Sequence, residues 1–156
     1  EQKTVNLSQS VYHSNSVLAA AVAAHECGHA VQHAKAYAWL NFRSKIVPIV
    51  SITSQFIPFV LMGGVLLVNV FPTLLVLGIV IFAMSTLFSL ITLPVEFDAS
   101  SRALAWLNQK GYVQNNEAVT AKSALNWAAS TYVVNAIASV GTLLYYVMIL
   151  LNRRDD

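Results

Sequence analysis

Residues 25–29 read His-Glu-Cys-Gly-His and lie inside the alanine-rich stretch 19–34. Because alanine is the strongest helix former, the composition predicts an α-helix through this motif. Residues four apart on a helix stack one turn above each other, so the imidazoles of His25 and His29 face the same way. Two imidazoles in that relation can hold one tetrahedral zinc ion. Glu26 then lies beside the metal without ligating it, where it can act as the general base toward a metal-activated water.

The polar side chains of this predicted helix share one face. At 100° per residue, five of them fall within an arc of about 120°: His25, Glu26, His29, Gln32 and His33. The rest of the helix is mainly Ala, Val and Gly. An ordinary histidine pair without a ligand is the alternative. The motif and the narrow polar stripe favour a metal, because one ion with its water satisfies several otherwise costly polar groups at once.

Other residues of the motif receive separate interpretations. Cys27 faces away from His25 and is interpreted as a packing residue. Gly28 predicts close approach of another backbone to the helix. His33 lies about 12 Å of helix rise from His25, too far for three local histidines to hold one ion. The third ligand must therefore come from elsewhere in the chain.

The composition is that of a membrane protein. Hydrophobic residues make up 56% of the 156 residues and charged residues only 10%, against about 25% charged in soluble domains. The net charge of +2 is too small to suggest a nucleic-acid partner. The single cysteine excludes an intramolecular disulfide.

Uncharged stretches long enough to cross a bilayer predict three spans: Ile46–Val70, Thr73–Leu93 and Thr131–Leu151. The zinc-site helix is predicted to begin after the capping serines around residue 16 and to run to about Trp39. Pro94 is expected to end the second span. The predicted fold class is therefore a mainly all-α integral membrane protein with three transmembrane helices, a zinc-site helix and a possible short N-terminal edge strand at residues 4–8.

The third metal ligand is sought among the acids after the second span. An even number of crossings separates His29 from Glu96, so both lie on the same side of the membrane, and Glu96 is the first choice. Asp98 competes for the role, although it can simply pair with Arg102 four residues on. Glu117 ranks third, because an acid at a helix start has an ordinary explanation in the helix dipole.

Three blocks of the chain carry a family resemblance: residues 7–12, residues 23–32 and residues 93–100. Together they resemble the YugP-type family of neutral zinc metallopeptidases of the membrane. That family is similar to the HtpX and CAAX-processing membrane proteases, in which a glutamate on a second helix completes the zinc site. The resemblance implies His25, His29 and Glu96 as the Zn²⁺ ligands and Glu26 as the catalytic base.

The sequence departs from those relatives in two respects. They commonly carry an aspartate four positions after the ligand glutamate, where this chain has Ser100, so the aspartate's role is absent or passes to Asp98. Family members also usually begin with another membrane helix. Residues 1–156 are therefore expected to form one membrane-embedded domain that lacks an N-terminal transmembrane helix.

The expected function is zinc-dependent endopeptidase activity at the cytoplasmic membrane surface, with a peptide or membrane protein as substrate and the lipid bilayer as surroundings. Val5–Ser8 could pair with an extended substrate by strand addition. Three polar residues could stabilise an oxyanion, and none is preferred: His13, Arg102 and Tyr132.

A non-enzymatic metal-binding or metal-transport protein is the alternative. The predicted spans contain no Asp, Glu, His, Lys or Arg, which disfavours an ion path through them. An intramembrane-cleaving protease is a third possibility, and Glu26, His33 and Lys35 make the zinc-site helix too polar for a lipid-facing span.

Positive charges predict the orientation. In the three-span topology, two of the nine lie on the far side, Arg153 and Arg154. The other seven lie on the side of the zinc motif: Lys3, Lys35, Arg43, Lys45, Arg102, Lys110 and Lys122. The positive-inside rule therefore predicts a cytoplasmic zinc site.

Overall fold

The computed structural model describes residues 4–152, and this range is helical, with no strand in it. It contains six helices: α1 (Gln9–Tyr12), α2 (Val17–Ala34), α3 (Ala38–Thr53), α4 (Ile57–Leu66), α5 (Pro72–Gln109) and α6 (Asn116–Leu151). The chain forms two compact units. One contains the residues up to Asn41 with Thr92–Tyr132, and the other contains Phe42–Ile91 with the residues from Val133 onward. Helices α5 and α6 therefore each contribute to both units.

The edge strand predicted at residues 4–8 is wrong. Ser8 instead caps α1, its side-chain oxygen accepting a hydrogen bond from the backbone N–H of Val11. Serine at this position satisfies one of the donors that a helix start leaves unpaired. No other strand is present in the described range to pair with this segment, and an unpaired strand is not stable on its own.

Helix α2 carries the His-Glu-Cys-Gly-His motif and begins where the capping residues predicted. The side chain of Ser16 accepts from the backbone N–H of Ala19 at 3.2 Å. The predicted extension to Trp39 is wrong, because the helix ends at Ala34 and the backbone of Ala36 turns to a φ of 50°. That left-handed residue breaks the helical path before α3.

The first unit is held together by small apolar side chains, which let α2, α5 and α6 approach closely. Its core consists of buried residues from these helices and the connection between α5 and α6: Ala21, Ala24, Ala103, Leu107, Val113, Ala121 and Leu125. A Cβ atom built on Gly28 would lie 2.6 Å from the backbone oxygen of Ala99 on α5. The close backbone approach predicted at Gly28 is thereby confirmed, and it brings the motif helix against the segment that carries Glu96.

In the second unit, the first predicted span is broken. Helices α3 and α4 meet at an angle of 57° around residues 54–56 instead of forming one helix over Ile46–Val70. Pro58 lies in the first turn of α4, where its missing N–H costs no helical bond and its ring disfavours helix immediately before it. Helix α4 packs on α5, where Ile57, Leu61 and Leu75 are buried together.

Helix α5 runs through Pro94, which was predicted to end it. Proline inside a helix costs about 3 kcal/mol. Beyond the proline, four apolar residues recur at helical spacing and are almost completely buried: Val95, Ala99, Ala103 and Leu107. Burial of a valine or leucine side chain contributes about 1.5 to 3 kcal/mol, so this row of contacts offsets the lost backbone hydrogen bond and keeps the helix continuous.

Two helices of the described range are long and apolar enough to cross a membrane, α5 and α6. The bent pair of α3 and α4 passes the same criterion when its two helices are taken together. The predicted spans Thr73–Leu93 and Thr131–Leu151 lie inside α5 and α6, each of which extends well beyond its span.

Candidate metal centre

The polar face of α2 meets α5 at three potential metal ligands, all within the first unit. His25 and His29 project from successive turns of α2, and Glu96 projects from α5. One ligand atom from each lies within 4.8 Å of the others. Oε2 of Glu96 is 3.2 Å from Nε2 of His25 and 3.6 Å from Nε2 of His29. The structure thus brings together the three residues that the sequence selected.

These spacings fit a tetrahedral zinc site. Zinc bonds of about 2.0 to 2.1 Å at the tetrahedral angle place neighbouring ligand atoms about 3.3 Å apart. The separations of 3.2 and 3.6 Å between Oε2 of Glu96 and the two Nε2 atoms bracket that value. Glu96 is only 3% exposed, and a buried carboxylate needs compensating charge. Two imidazoles and one carboxylate on two helices would also leave the fourth position of a zinc ion open.

A cavity of about 190 Å³ opens beside this cluster, also within the first unit. Glu26 lines it together with His25, Glu96 and Ser100, and Tyr132 of α6 lies on its wall. The remaining lining is apolar: Val22, Leu125, Ala128 and Ala129. The exposed carboxylate of Glu26 therefore shares one solvent-accessible space with the candidate ligands, as a general base toward a bound water requires.

Each of the two candidate histidine ligands has a hydrogen-bonding partner at Nδ1, the ring nitrogen that faces away from Glu96. Nδ1 of His25 is 3.1 Å from the hydroxyl of Ser100, and Nδ1 of His29 is 2.9 Å from Oε1 of Gln32. Metal-binding histidines almost always have such a partner, which sets the tautomer and the ring orientation. In both residues Nε2 is therefore the nitrogen that faces the common point near Glu96.

Charges around the cluster shift the proton affinities of nearby groups. The hydrogen bond with Glu96 raises the pKa of His29 above its usual value, against the opposing effect of burial. Asp98 lies beyond the predicted span Thr73–Leu93. Burial alone would raise its pKa, but hydrogen bonds from Arg102 and Gln32 outweigh burial and hold that pKa below its usual value. Asp98 is thus kept as an anion beside the cluster.

The two competing acids lie elsewhere. Asp98 forms a bidentate pair with Arg102, at 2.6 Å to Nε and 3.2 Å to Nη2, and it is not in the cluster of candidate ligands. Glu117 is exposed at the start of α6 and accepts from the backbone N–H of Gln114 at 3.4 Å. Both acids have structural partners that account for them.

Comparison with known proteins gives the family. The model of the family described as "Putative neutral zinc metallopeptidase" matches residues 1–151. This chain belongs to that family. "Putative membrane protease YugP" of Bacillus subtilis (strain 168) is 44% identical over 155 residues, which is 99% of this chain and 68% of that protein. No solved structure matches the chain. The family resemblance drawn from the three sequence blocks is confirmed.

In this member of the zinc metallopeptidase family, the features of the site that depend on contacts between helices are not predicted by the sequence. Gln32 was recognised on the polar stripe, yet its partners on α5 have no signature in the sequence. In the sequence Ser100 is only a departure from the relatives' aspartate, whereas in the structure its hydroxyl lies 3.1 Å from Nδ1 of His25. Cys27 was interpreted as a packing residue, which is wrong because it is exposed. His33, also exposed, stays apart from the ligand cluster, as its helical distance indicated.

Proposed function

We propose that this protein is a membrane-bound zinc endopeptidase that hydrolyses peptide bonds at the cytoplasmic membrane surface. The observation that carries the proposal is the grouping of His25, His29 and Glu96 at zinc-ligand spacing, with Glu26 on the wall of the adjoining cavity. Family membership and the description of the YugP relative as a membrane protease support it. The long apolar helices α5 and α6 support the membrane location.

Four residues of the chain have roles in zinc binding and proton transfer. His25, His29 and Glu96 would hold the zinc ion. When bound, zinc lowers the pKa of a coordinated water to about 7 and polarises the scissile carbonyl. The carboxylate of Glu26 accepts the proton of the attacking water and passes it to the nitrogen of the leaving amine. Because this base lies in the same cavity as the peptide, proton transfer becomes effectively unimolecular and needs no base from solution.

We propose that the cavity receives the substrate side chain next to the scissile bond. Its volume of about 190 Å³ exceeds the roughly 150 Å³ that accommodates a benzene ring in an engineered protein cavity. The polar cluster lines part of it, and the apolar residues Leu125, Ala128 and Ala129 of α6 line another part. The space therefore suits an apolar side chain next to the scissile bond, because a charged one would lose hydration without gaining a partner on the apolar wall.

The test separates metal binding from turnover with Glu26→Gln. The amide keeps the shape of the side chain but cannot accept the proton, so zinc content should stay at one ion per chain. Cleavage of an unfolded protein substrate should fall by at least about 100-fold, as expected for a lost general base. Glu117→Gln, at an exposed acid outside the cluster, is the matched control. Hydrolysis by Glu26→Gln at the control's rate would remove Glu26 from the mechanism.

A further inference from the structure

Gln32 is the most completely buried polar residue near the candidate ligands, with no solvent exposure. It lies on α2 one turn beyond His29 and makes three hydrogen bonds. Its oxygen Oε1 lies 2.9 Å from Nδ1 of His29. Its nitrogen Nε2 donates to the backbone oxygen of Val95 at 2.7 Å and to Oδ2 of Asp98 at 2.8 Å. The side chain thus links the ligand on α2 to α5 at Val95, one residue before Glu96, and at Asp98, two residues after it.

The neighbours of Gln32 allow only one orientation of its amide. The backbone oxygen of Val95 can only accept a hydrogen bond. Oδ2 of Asp98 is an acceptor as well, since it also accepts from Nε of Arg102 at 2.6 Å. Both groups therefore require the NH₂ end. A reversed amide would oppose its oxygen to two acceptors and leave a buried group unsatisfied, at a cost of about 1 to 3 kcal/mol.

The fixed amide in turn fixes His29. Because Oε1 of Gln32 can only accept, Nδ1 of His29 must carry a hydrogen. In the neutral imidazole that would hold zinc, the lone pair is then on Nε2, the nitrogen that lies 3.6 Å from the oxygen of Glu96. His25 is held differently. Its Nδ1 faces the hydroxyl of Ser100, and a hydroxyl can donate or accept, so it accommodates either tautomer.

We propose that Gln32 is the positioning residue of the metal centre, which selects the metal-binding tautomer of His29 and aligns it with Glu96 on α5. The inference rests on the proposed zinc site but not on peptide hydrolysis, so it stands or falls by metal affinity. Ser100 supports His25 without this selectivity, and the two histidines are therefore unequally preorganised for the ion.

Two substitutions distinguish positioning from simple packing. Gln32→Met keeps the approximate volume and removes all three hydrogen bonds, and we expect its dissociation constant for zinc to rise about 10- to 100-fold, the usual cost of removing such a partner. Gln32→Glu keeps an acceptor for His29 but opposes a carboxylate to Asp98 and Val95. It should therefore unfold more easily than the wild type while its zinc affinity stays within about threefold, since carboxylate–histidine–metal arrangements are common.

The measurements are zinc affinity by competition with a chromophoric chelator, and thermal unfolding of the metal-free protein, both on the full chain in detergent. Gln109→Met, at an exposed glutamine on α5, should leave both unchanged. Ser100→Ala should lose less affinity than Gln32→Met. Wild-type affinity in Gln32→Met would overturn the proposal. So would affinity that falls in step with stability in Gln32→Glu, a result that remains decisive if the methionine variant does not fold. Because no substrate is used, a failed peptidase assay leaves this test intact.

Discussion

At the scale of single residues, the metal centre depends on a buried carboxylate that faces two imidazoles. Glu96 is almost inaccessible to solvent, and one oxygen of its carboxylate is near Nε2 of both His25 and His29. Without a cation, the carboxylate of Glu96 favours a proton on the imidazole of His29, whose pKa it raises above the usual value. A zinc ion would supply the positive charge instead, with the histidines neutral.

Substitution of Glu96 tests which acid completes the site. Glu96→Ala removes one of three ligands, so its dissociation constant for zinc should rise by more than the roughly 10- to 100-fold typical of outer partners. Asp98→Ala should retain the metal with a smaller loss, because Asp98 acts on the site through Gln32. Metal analysis of both purified variants gives the answer. Full zinc content in Glu96→Ala together with loss in Asp98→Ala would transfer the ligand role to Asp98.

At the scale of helices, the site depends on how closely α2 lies against α5. A Cβ atom at Gly28 would meet the backbone oxygen of Ala99 at 2.6 Å, and a backbone atom cannot turn aside as a side chain can. Two residues of α5 contact His25: Glu96 and Ser100. Ala99 lies between them in the sequence, so it is close to both contacts. The separation of the two helices therefore sets the distances among the candidate ligands.

Gly28→Ala should force these helices apart. We expect a loss of about 1 to 3 kcal/mol in the free energy of unfolding, the usual cost of overpacking, together with weaker zinc binding. Gly141→Ala is the control, because nothing lies within 4 Å of a Cβ atom built there. Its helix should gain up to about 1 kcal/mol. Thermal unfolding and zinc titration of both variants are the measurements. Equal stability of the two variants would contradict the close approach.

The cavity wall on α6 allows a test of substrate preference. Ala128 lines the cavity but is solvent-exposed, so Ala128→Leu can narrow the space without disturbing the core. Cleavage next to Leu or Phe should fall about tenfold relative to cleavage next to Ala, within the usual range for such size discrimination. Ala105→Leu, at an exposed position of α5 away from the cavity, should keep the wild-type profile. Peptide-library cleavage mapped by mass spectrometry measures this ratio. An unchanged profile in Ala128→Leu would place the substrate elsewhere.

Local sequence patterns predicted the helical parts of this molecule. The features that they did not predict depend on contacts between residues far apart in the sequence. The helical spacing of His25 and His29 was enough to place them together, and the close approach at Gly28 followed from its lack of a side chain. The prediction that Pro94 ends its helix is wrong. The free-energy cost of proline in a helix is local, whereas the burial of Val95 and Ala99 that offsets it depends on neighbouring helices. Two hydrogen bonds of Gln32, to Val95 and Asp98, likewise join residues more than sixty positions apart.

At the scale of the whole molecule, the candidate site constrains how the chain crosses the membrane. His25 and Glu96 lie in one compact unit, so the chain between them must cross an even number of times. The apolar first part of α5 is long enough to supply one crossing. A re-entrant α3–α4 pair would not cross the membrane. The number of crossings between His25 and Glu96 would then be odd, and the two residues would lie on opposite sides. We therefore predict that the bent pair crosses the membrane as one broken span.

Cysteine labelling in intact cells tests this topology and the orientation together. In a Cys27→Ala background, which removes the only cysteine, single cysteines replace Val70, Asn115 or Asp155. Val70 and Asn115 are exposed. Asp155, with Arg153 and Arg154, lies outside the described residues. The three-span topology predicted from the sequence puts seven positive residues on the side of the metal site and two on the other, so we expect position 115 to be cytoplasmic. An impermeant maleimide should reach positions 70 and 155, and reach 115 only after lysis. Labelling of 115 but not 155 in intact cells would reverse the orientation, and equal protection of 70 and 115 would make α3–α4 re-entrant.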